Sequence, residues 1–401
     1  MIGSPQATVV VVGASLAALR TVESLRSTGH SGEIIVFGDE PHAPYDRPPL
    51  SKAALKDPRG SDHELAQSLA LPRREDAQAQ WHFGSPVVRA DLTGRQIHLA
   101  DHTSHSFDLV IAATGLRPRT LNLPGPQVGR HTVRTVEDAR TLAVSLVPGA
   151  RLVIIGASFI GCEIASIAGE MGTHVAVVDP CAVPMGRVLG AELGGAIRRS
   201  HEARGVDFHL GRTPVEFNGD DRITGVVLDD GTRLSADVVV EAVGCRPETA
   251  WLDGNGLDLT DGILTDNRLV ADGSDRLLAV GDVARFPNPF IDNVPRRVEH
   301  WAIAGDTGRQ AAATIAGQAP EFAPVPSFWS DQLDTRIQGF GAPALADEIR
   351  IVHGNLSENQ PRAVAEYRRE GRLIGVVGIG LRKELALARA RLVAARSTTN
   401  A

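Results

Sequence analysis

Residues 8–40 and 151–180 repeat one pattern, and that repeat limits the fold of this 401-residue chain more than any other feature. The first copy reads TVVVVGASLAALRTVESLRSTGHSGEIIVFGDE and the second RLVIIGASFIGCEIASIAGEMGTHVAVVDP. Each has a short β-branched run, a glycine turn, a segment of helical period and a second apolar run ending in an acid. That is a βαβ unit, whose turn and helix N-terminus suit a dinucleotide pyrophosphate. One such turn alone is as often a plain strand-to-helix connection. Two of them, each followed by an acid, predict two dinucleotide sites. Both depart from the usual fingerprint at the same place, reading Gly13-x-Ser15-x-x-Ala18 and Gly156-x-Ser158-x-x-Gly161. Serine is small, and its hydroxyl can donate to a phosphate.

The rest of the chain is organised around these copies. Gln96–Leu99 and Ser106–Ala112 read as a hairpin leading to Ala113-Thr114-Gly115. Ile223–Leu228 and Arg233–Val243 flank the turn Asp229-Asp230-Gly231 and lead to Gly244. Both arms return the chain from one βαβ unit to the other, so the second unit is inserted in the first. A linker with Pro320, Pro324 and Pro326 precedes strands at 350–353, 363–367 and 373–378 and a closing helix at 382–396. The expected fold is α/β, with two Rossmann-like domains and a C-terminal α+β domain. The boundaries are 1–114 with 243–320 for the first domain, 115–242 for the second and 321–401 for the third.

Composition excludes several functions. Hydrophobic residues make up 43% and charged residues 22%, as in an ordinary globular chain. The formal charge of −7 argues against a whole-protein nucleic-acid footprint. Cys162, Cys181 and Cys245 are three widely spaced cysteines with no C-x-x-C, which suggests neither a disulfide framework nor a zinc site and fits a reducing cytoplasm. Met1–Thr8 has no signal-like pattern and no apolar run approaches a membrane span, so neither a targeting signal nor membrane association is expected. Lysine is scarce: Lys52, Lys56 and Lys383 are the only three among 41 cations. A compact ammonium kept where arginine is the habit suggests a need for a point charge.

Lys52 closes the segment Tyr45-Asp46-Arg47-Pro48-Pro49-Leu50-Ser51-Lys52, a proline-stiffened loop. This segment, the two fingerprints, ATG (113–115), RTVEDA (134–139), AVGCRP (242–247), AVGDVARF (279–286), VEHWA (298–302) and FWSDQ (328–332) follow one another in a telling order. The set resembles the FAD-dependent ferredoxin reductases of the putidaredoxin and rubredoxin reductase type, which share the glutathione reductase fold. The resemblance covers essentially the whole chain.

It implies a role for each matching residue. Gly13, Ser15, Leu16 and Ala17 would present amides to the FAD pyrophosphate, with Asp39 on the adenosine ribose and Val87 beside adenine. Arg47 and Arg134 match positions on the FAD side, and Ala113, Thr114 and Gly115 the crossover near the flavin. Gly281 and Asp282 match the ribityl-binding motif, and His300 and Trp301 the flavin-lining segment. Gly156, Ser158, Phe159, Ile160, Gly161 and Gly244 would hold the nicotinamide dinucleotide. Asp179 would accept from its ribose hydroxyls and repel a 2′-phosphate, favouring NADH over NADPH. Lys52 would lie near the hydride-accepting nitrogen, paired with Glu163, a residue that patterning alone reads equally well as a helix-surface carboxylate.

Absent motifs narrow the chemistry further. Disulfide reductases of this fold carry redox cysteines after the first βαβ unit, where this chain has Tyr45–Lys52. Electrons would then leave the flavin singly, for a 2Fe–2S ferredoxin serving a monooxygenase or ring-hydroxylating dioxygenase. Rubredoxin is the alternative partner, an NADH oxidase the alternative enzyme and an apoptosis-inducing-factor-like NADH sensor the alternative of another class. A monomer or weak homodimer is expected. His98, His102 and His105 straddle a hairpin turn and read as solvated rather than metal-binding, so no metal is expected. Trp329 reads equally as a core residue or as one between flavin and partner. Residues 362–396 hold nine cations and three acids, leaving −13 on the rest of the chain, a distribution that could steer an acidic partner.

Overall fold

The computed structural model describes residues 4–357 and 360–397. They form two compact units. One comprises Met1–Asp46, Ala66–Arg117 and Arg246–Pro326, the other Arg47–Leu65, Pro118–Cys245 and Ser327–Ala401. The segment Arg47–Leu65 therefore groups with the second unit, away from its neighbours in sequence.

Each unit is built on a five-stranded parallel sheet of the same order. In the first the strands run Gln80–His82, Ile34–Phe37, Val9–Val12, Leu109–Ala112 and Leu277–Ala279. In the second they run Asp207–Leu210, His174–Asp179, Arg151–Ile155, Val238–Glu241 and Arg130–His131. The central strands are β-branched and buried along their length, as sheets covered on both faces require. In the first unit the crossover helix Leu16–Ser27 packs on Trp301–Ile315. A Cβ at Gly308 would lie 2.9 Å from Thr21 N, so glycine lets the two backbones close up.

Both predicted hairpin arms are shorter than their sequences suggest. Ser104–Ser106 ends the meander Val87–Asp91, Gln96–Leu99, Ser104–Ser106, and Leu109–Ala112 is a separate strand in the parallel sheet. Asp108 makes the break, its Oδ2 accepting from Thr8 N at 2.9 Å and its own N–H donating to Thr8 O. The second unit repeats the device: Arg233–Ser235 and Val238–Glu241 are separated at Asp237, whose Oδ2 accepts from Arg151 N at 2.9 Å. An apolar run reads as continuous from propensity, but an aspartate that caps the neighbouring strand divides it.

The second unit also carries a five-stranded antiparallel sheet in the order Ser327–Gln332, Thr335–Gly341, Arg372–Ile379, Arg362–Arg369, Glu348–Asn355, followed by helix Arg382–Ser397. Its first two strands extend beyond the sequence reading. This sheet is tied to helix Gly186–Glu202, where the buried Tyr367 hydroxyl donates to Leu189 O at 2.8 Å. The helix kinks next to that carbonyl, at Gly190 (φ +77°), where a Cβ would sit 2.3 Å from Ile349 Cδ1.

A buried ion pair closes the second parallel sheet. Arg130 and Glu241, 3% and 2% exposed, meet at 2.8 Å; Glu241 also accepts from Leu121 N, and Arg130 lies over the Phe217 ring at 4.1 Å. Glu241→Ala strands a buried guanidinium, and we expect it to lower unfolding free energy by about 3–5 kcal/mol, measured by urea denaturation.

Candidate functional site

The two glycine turns are superimposable in their logic. Gly13 and Gly156 have φ of +107° and +108°, and a Cβ on either would lie 2.2 Å from Ala113 O or 2.4 Å from Ala242 O. Only glycine satisfies both the dihedral and the space. The unusual serines are helix N-caps: Ser15 (φ −109°) and Ser158 (φ −76°) have extended backbone, so no glycine is required there. Ser158 Oγ accepts from Gly161 N at 3.2 Å. At the third position a Cβ on Gly161 would meet Gly156 O at 2.1 Å, whereas the first copy accommodates the fully buried Ala18. Neither helix carries an acid in its first turn, so the positive end of each dipole is left for an anion.

The first unit gathers most of the sequence-predicted FAD residues at one end of its sheet. Gly281, with Asp282 behind it, lies over the first turn of helix Leu16–Ser27, a Cβ at Gly281 falling 3.0 Å from that of Ala17. Gly281 N donates to Thr307 Oγ1 at 2.8 Å, linking this turn to the helix that starts at Trp301. His300 is the N-cap of that helix, and burial pushes its imidazole down to about 4, so the ring is neutral at neutral pH. Asp39 is exposed, two residues past its strand; Gly38 packs on Ala14, and its carbonyl accepts from Ser85 N at 2.7 Å, bringing the half-buried Val87 alongside. Ala113–Gly115 is fixed by Thr114 Oγ1 donating to Glu248 O at 2.6 Å and Glu248 N donating to Gly115 O at 3.0 Å. A glycine cradle, an open helix N-terminus and an exposed carboxylate beyond the second strand fit FAD.

The second unit holds the other fingerprint. Asp179 ends the strand His174–Asp179, and each of its oxygens already has a backbone donor: Ala157 N on Oδ2 and Cys181 N on Oδ1, both at 2.7 Å. The carboxylate is thereby oriented, with lone pairs remaining for ribose hydroxyls. Phe159 packs against Phe328 with centroids 5.1 Å apart, Ile160 is 42% exposed, and Gly244 is exposed at φ +94°. This set fits a second dinucleotide.

The same unit contains the lysine–glutamate pair. Lys52 Nζ lies 2.7 Å from Glu163 Oε2 and 3.1 Å from Pro48 O, with the two side chains 18% and 5% exposed. Glu163 is therefore a core carboxylate and not a surface one. Ser51 Oγ donates to the same oxygen at 2.5 Å, and Ser330 Oγ to Oε1 at 2.6 Å. Arg47 Nη1 donates to Arg134 O at 2.6 Å, so these two residues are neighbours. Ser51 and Ser330 escaped the sequence reading. In Ser327–Gln332 the alternation buries Phe328, Ser330 and Gln332 on one face, and polar residues at inward positions are the signal that marks them. Trp329 is on the other face, half-buried.

The histidines stay apart in role. His98 Nδ1 meets Ser104 Oγ at 2.8 Å, His105 packs on Phe37 with centroids 4.8 Å apart, and His102 turns the chain at φ +70°. Among the described residues no group of three or more His, Cys, Asp or Glu could hold a metal ion. Cys162 is fully buried, which pushes its thiol far above the ordinary range; Cys181 and Cys245 are half-buried. No helix among the described residues is long and apolar enough to cross a membrane.

Comparison with known proteins agrees with this geometry. Residues 7–308 match the pyridine nucleotide-disulphide oxidoreductase family and residues 327–401 the reductase C-terminal family. Rhodocoxin reductase of Rhodococcus erythropolis is 37% identical over 353 residues, 87% of this chain and 81% of the relative. The ferredoxin reductase component of chlorobenzene dioxygenase from Cupriavidus sp. (strain PS12) is 34% identical over 97% of this chain and 93% of the relative. Putidaredoxin reductase, solved as a covalent complex with putidaredoxin, superposes with a TM-score of 0.89 at 30% identity, covering 96% of this chain and 93% of that one. The fold, the paired dinucleotide cradles and these likenesses lead to one conclusion: the chain belongs to the FAD-dependent ferredoxin reductases of the pyridine nucleotide-disulphide oxidoreductase family.

Proposed function

We propose that this reductase takes hydride from NADH and passes the electrons singly to a 2Fe–2S ferredoxin that serves a monooxygenase or ring-hydroxylating dioxygenase. The observation that carries the reading is the pair of equivalent glycine cradles, Gly13 with Ala113 and Gly156 with Ala242, in a chain with no cysteine in Tyr45–Lys52. When bound, FAD supplies the conversion of a two-electron donor into one-electron deliveries. The protein contributes position and field. Gly13, Ser15, Leu16 and Ala17 offer backbone donors and a helix dipole to one pyrophosphate, Gly156, Ser158, Phe159, Ile160 and Gly161 to the other. Asp39 and Asp179 take ribose hydroxyls, and Asp282 and Trp301 the flavin portion. Lys52 would place positive charge beside bound flavin, with Glu163 holding the ammonium in place. The names of the relatives support a ferredoxin-type acceptor.

The test is NADH-dependent cytochrome c reduction by the yellow protein with and without candidate ferredoxins. Strict dependence on a 2Fe–2S ferredoxin supports the reading; equal turnover with rubredoxin, or fast oxygen consumption with no carrier, replaces it. Gel filtration of the holoenzyme distinguishes a monomer from a weak homodimer, and fractionation tests the cytoplasmic location.

Cofactor preference follows from Asp179. Losing charged hydrogen bonds to the ribose is worth about 1.5–3 kcal/mol, so Asp179→Ala should lower kcat/KM for NADH about 10- to 100-fold and narrow its advantage over NADPH. Wild-type preference for NADPH would refute the assignment. A basic C-terminal segment also predicts that ferredoxin reduction slows as ionic strength rises, through the on-rate. A flat salt profile with a cognate ferredoxin would remove the steering argument.

A further inference from the structure

The Glu163 carboxylate is the end point of a chain of hydrogen bonds whose direction is fixed by chemistry. Gln332 Nε2 faces Ser330 Oγ at 3.0 Å and Met185 Sδ at 3.4 Å, and a thioether can only accept. Both amide hydrogens are thus committed, and Gln332 Oε1 must accept from His201 Nε2 at 3.1 Å. This makes His201 the Nε2–H tautomer. Ser330 Oγ, receiving from Gln332, has its own hydrogen left for Glu163 Oε1 at 2.6 Å. His201, Gln332, Ser330 and Glu163 are all buried, at 0%, 3%, 0% and 4% exposure. Every donor in the series points the same way, from His201 toward the carboxylate, and each bond polarises the next.

We propose that Ser330, Gln332 and His201 form a positioning relay that sets the orientation of Glu163, and through it the place of the Lys52 ammonium. This rests on the reading that Lys52 assists flavin reduction. Glu163 Oε2 is engaged by Ser51 and Lys52, so Oε1 has Ser330 as its donor on the opposite side. Without that donor, a buried carboxylate keeps one oxygen unsatisfied and rotates in search of another. That rotation weakens its hold on Lys52. The relay also explains two buried polar residues on the inward face of a strand where Phe328 shows an apolar side chain to be acceptable. None of the three relay residues is required to touch cofactor or substrate.

The experiment is stopped-flow reduction of the FAD-loaded holoenzyme by NADH, with Ser330→Ala, Ser330→Thr, Gln332→Glu, Glu163→Gln, Lys52→Met and the double variant Ser330→Ala/Glu163→Gln. Losing one charged hydrogen bond predicts that Ser330→Ala slows the limiting rate about tenfold while the NADH concentration at half-saturation is unchanged. Ser330→Thr, which keeps the hydroxyl, restores the rate. Gln332→Glu has the same shape but no N–H, and also slows reduction; it serves if Ser330→Ala fails to fold. In the Glu163→Gln background Ser330→Ala has no further effect, the non-additivity expected of residues acting through one another. Additive losses, or slow reduction with Ser330→Thr equal to that with alanine, would overturn the relay. Unchanged reduction in Ser330→Ala and Gln332→Glu alongside slow reduction in Lys52→Met would overturn the relay alone. Unchanged reduction in Lys52→Met would instead remove the reading beneath it.

Discussion

Lys52→Met should purify yellow, with its full complement of FAD, and accept hydride from NADH about 100-fold more slowly than wild type, the scale of loss when one preorganised electrostatic partner is removed. The substitution keeps an unbranched chain, one atom shorter, and removes its charge, leaving Glu163 with Ser51 and Ser330 as donors. Its effect should fall on the limiting rate of reduction and on the flavin midpoint potential, not on NADH affinity. Stopped-flow absorbance at the flavin band and a redox titration measure the two separately. A rate within twofold of wild type would show that the ammonium does not act on the transfer.

Gly156→Ala should separate the two cofactors. Its Cβ would lie 2.4 Å from Ala242 O in a residue held at φ +108°, so the turn must move. Overpacking and left-handed strain together cost about 2–5 kcal/mol, and a shift on the order of 1 Å in a positioning loop can cost about 100-fold in kcat/KM. The expected result is a yellow protein that dithionite reduces normally and NADH reduces poorly. Gly13→Ala, by the same construction against Ala113 O, should instead purify with little flavin. If Gly156→Ala bound NADH normally, that turn would not be the nicotinamide dinucleotide's cradle.

Much of this was legible in the sequence because glycine at φ above +100° leaves a signature that few other positions share. Gly13 and Gly156 announce both turns, and the β-branched runs around them announce both sheets. The strand breaks at Asp108 and Asp237 were not legible, since each depends on an amide brought in from a distant part of the chain, Thr8 or Arg151. The strands Ser327–Gln332 and Thr335–Gly341 were hidden by their polar and glycine content, which tertiary pairing overrides. Lys52 stood out by scarcity, and the resemblance supplied Glu163 as its partner. Ser51 and Ser330 became visible only once the chain had folded, because 112 and 167 residues separate them from Glu163.

The joint at Gly190 bears on how such a chain can be rearranged. Tyr367 donates to the carbonyl beside the kink, and Ile349 occupies the space a side chain at Gly190 would need. Sequence on one side of the joint is thus matched to sequence on the other, like the two halves of a dovetail. A chimaera carrying the C-terminal sheet of a relative would have to import the partners of Tyr367 and Ile349 with it. The C-terminal region is recognisable as a family module of its own, yet in this protein Tyr367 and Ile349 join it to the helix at Gly190.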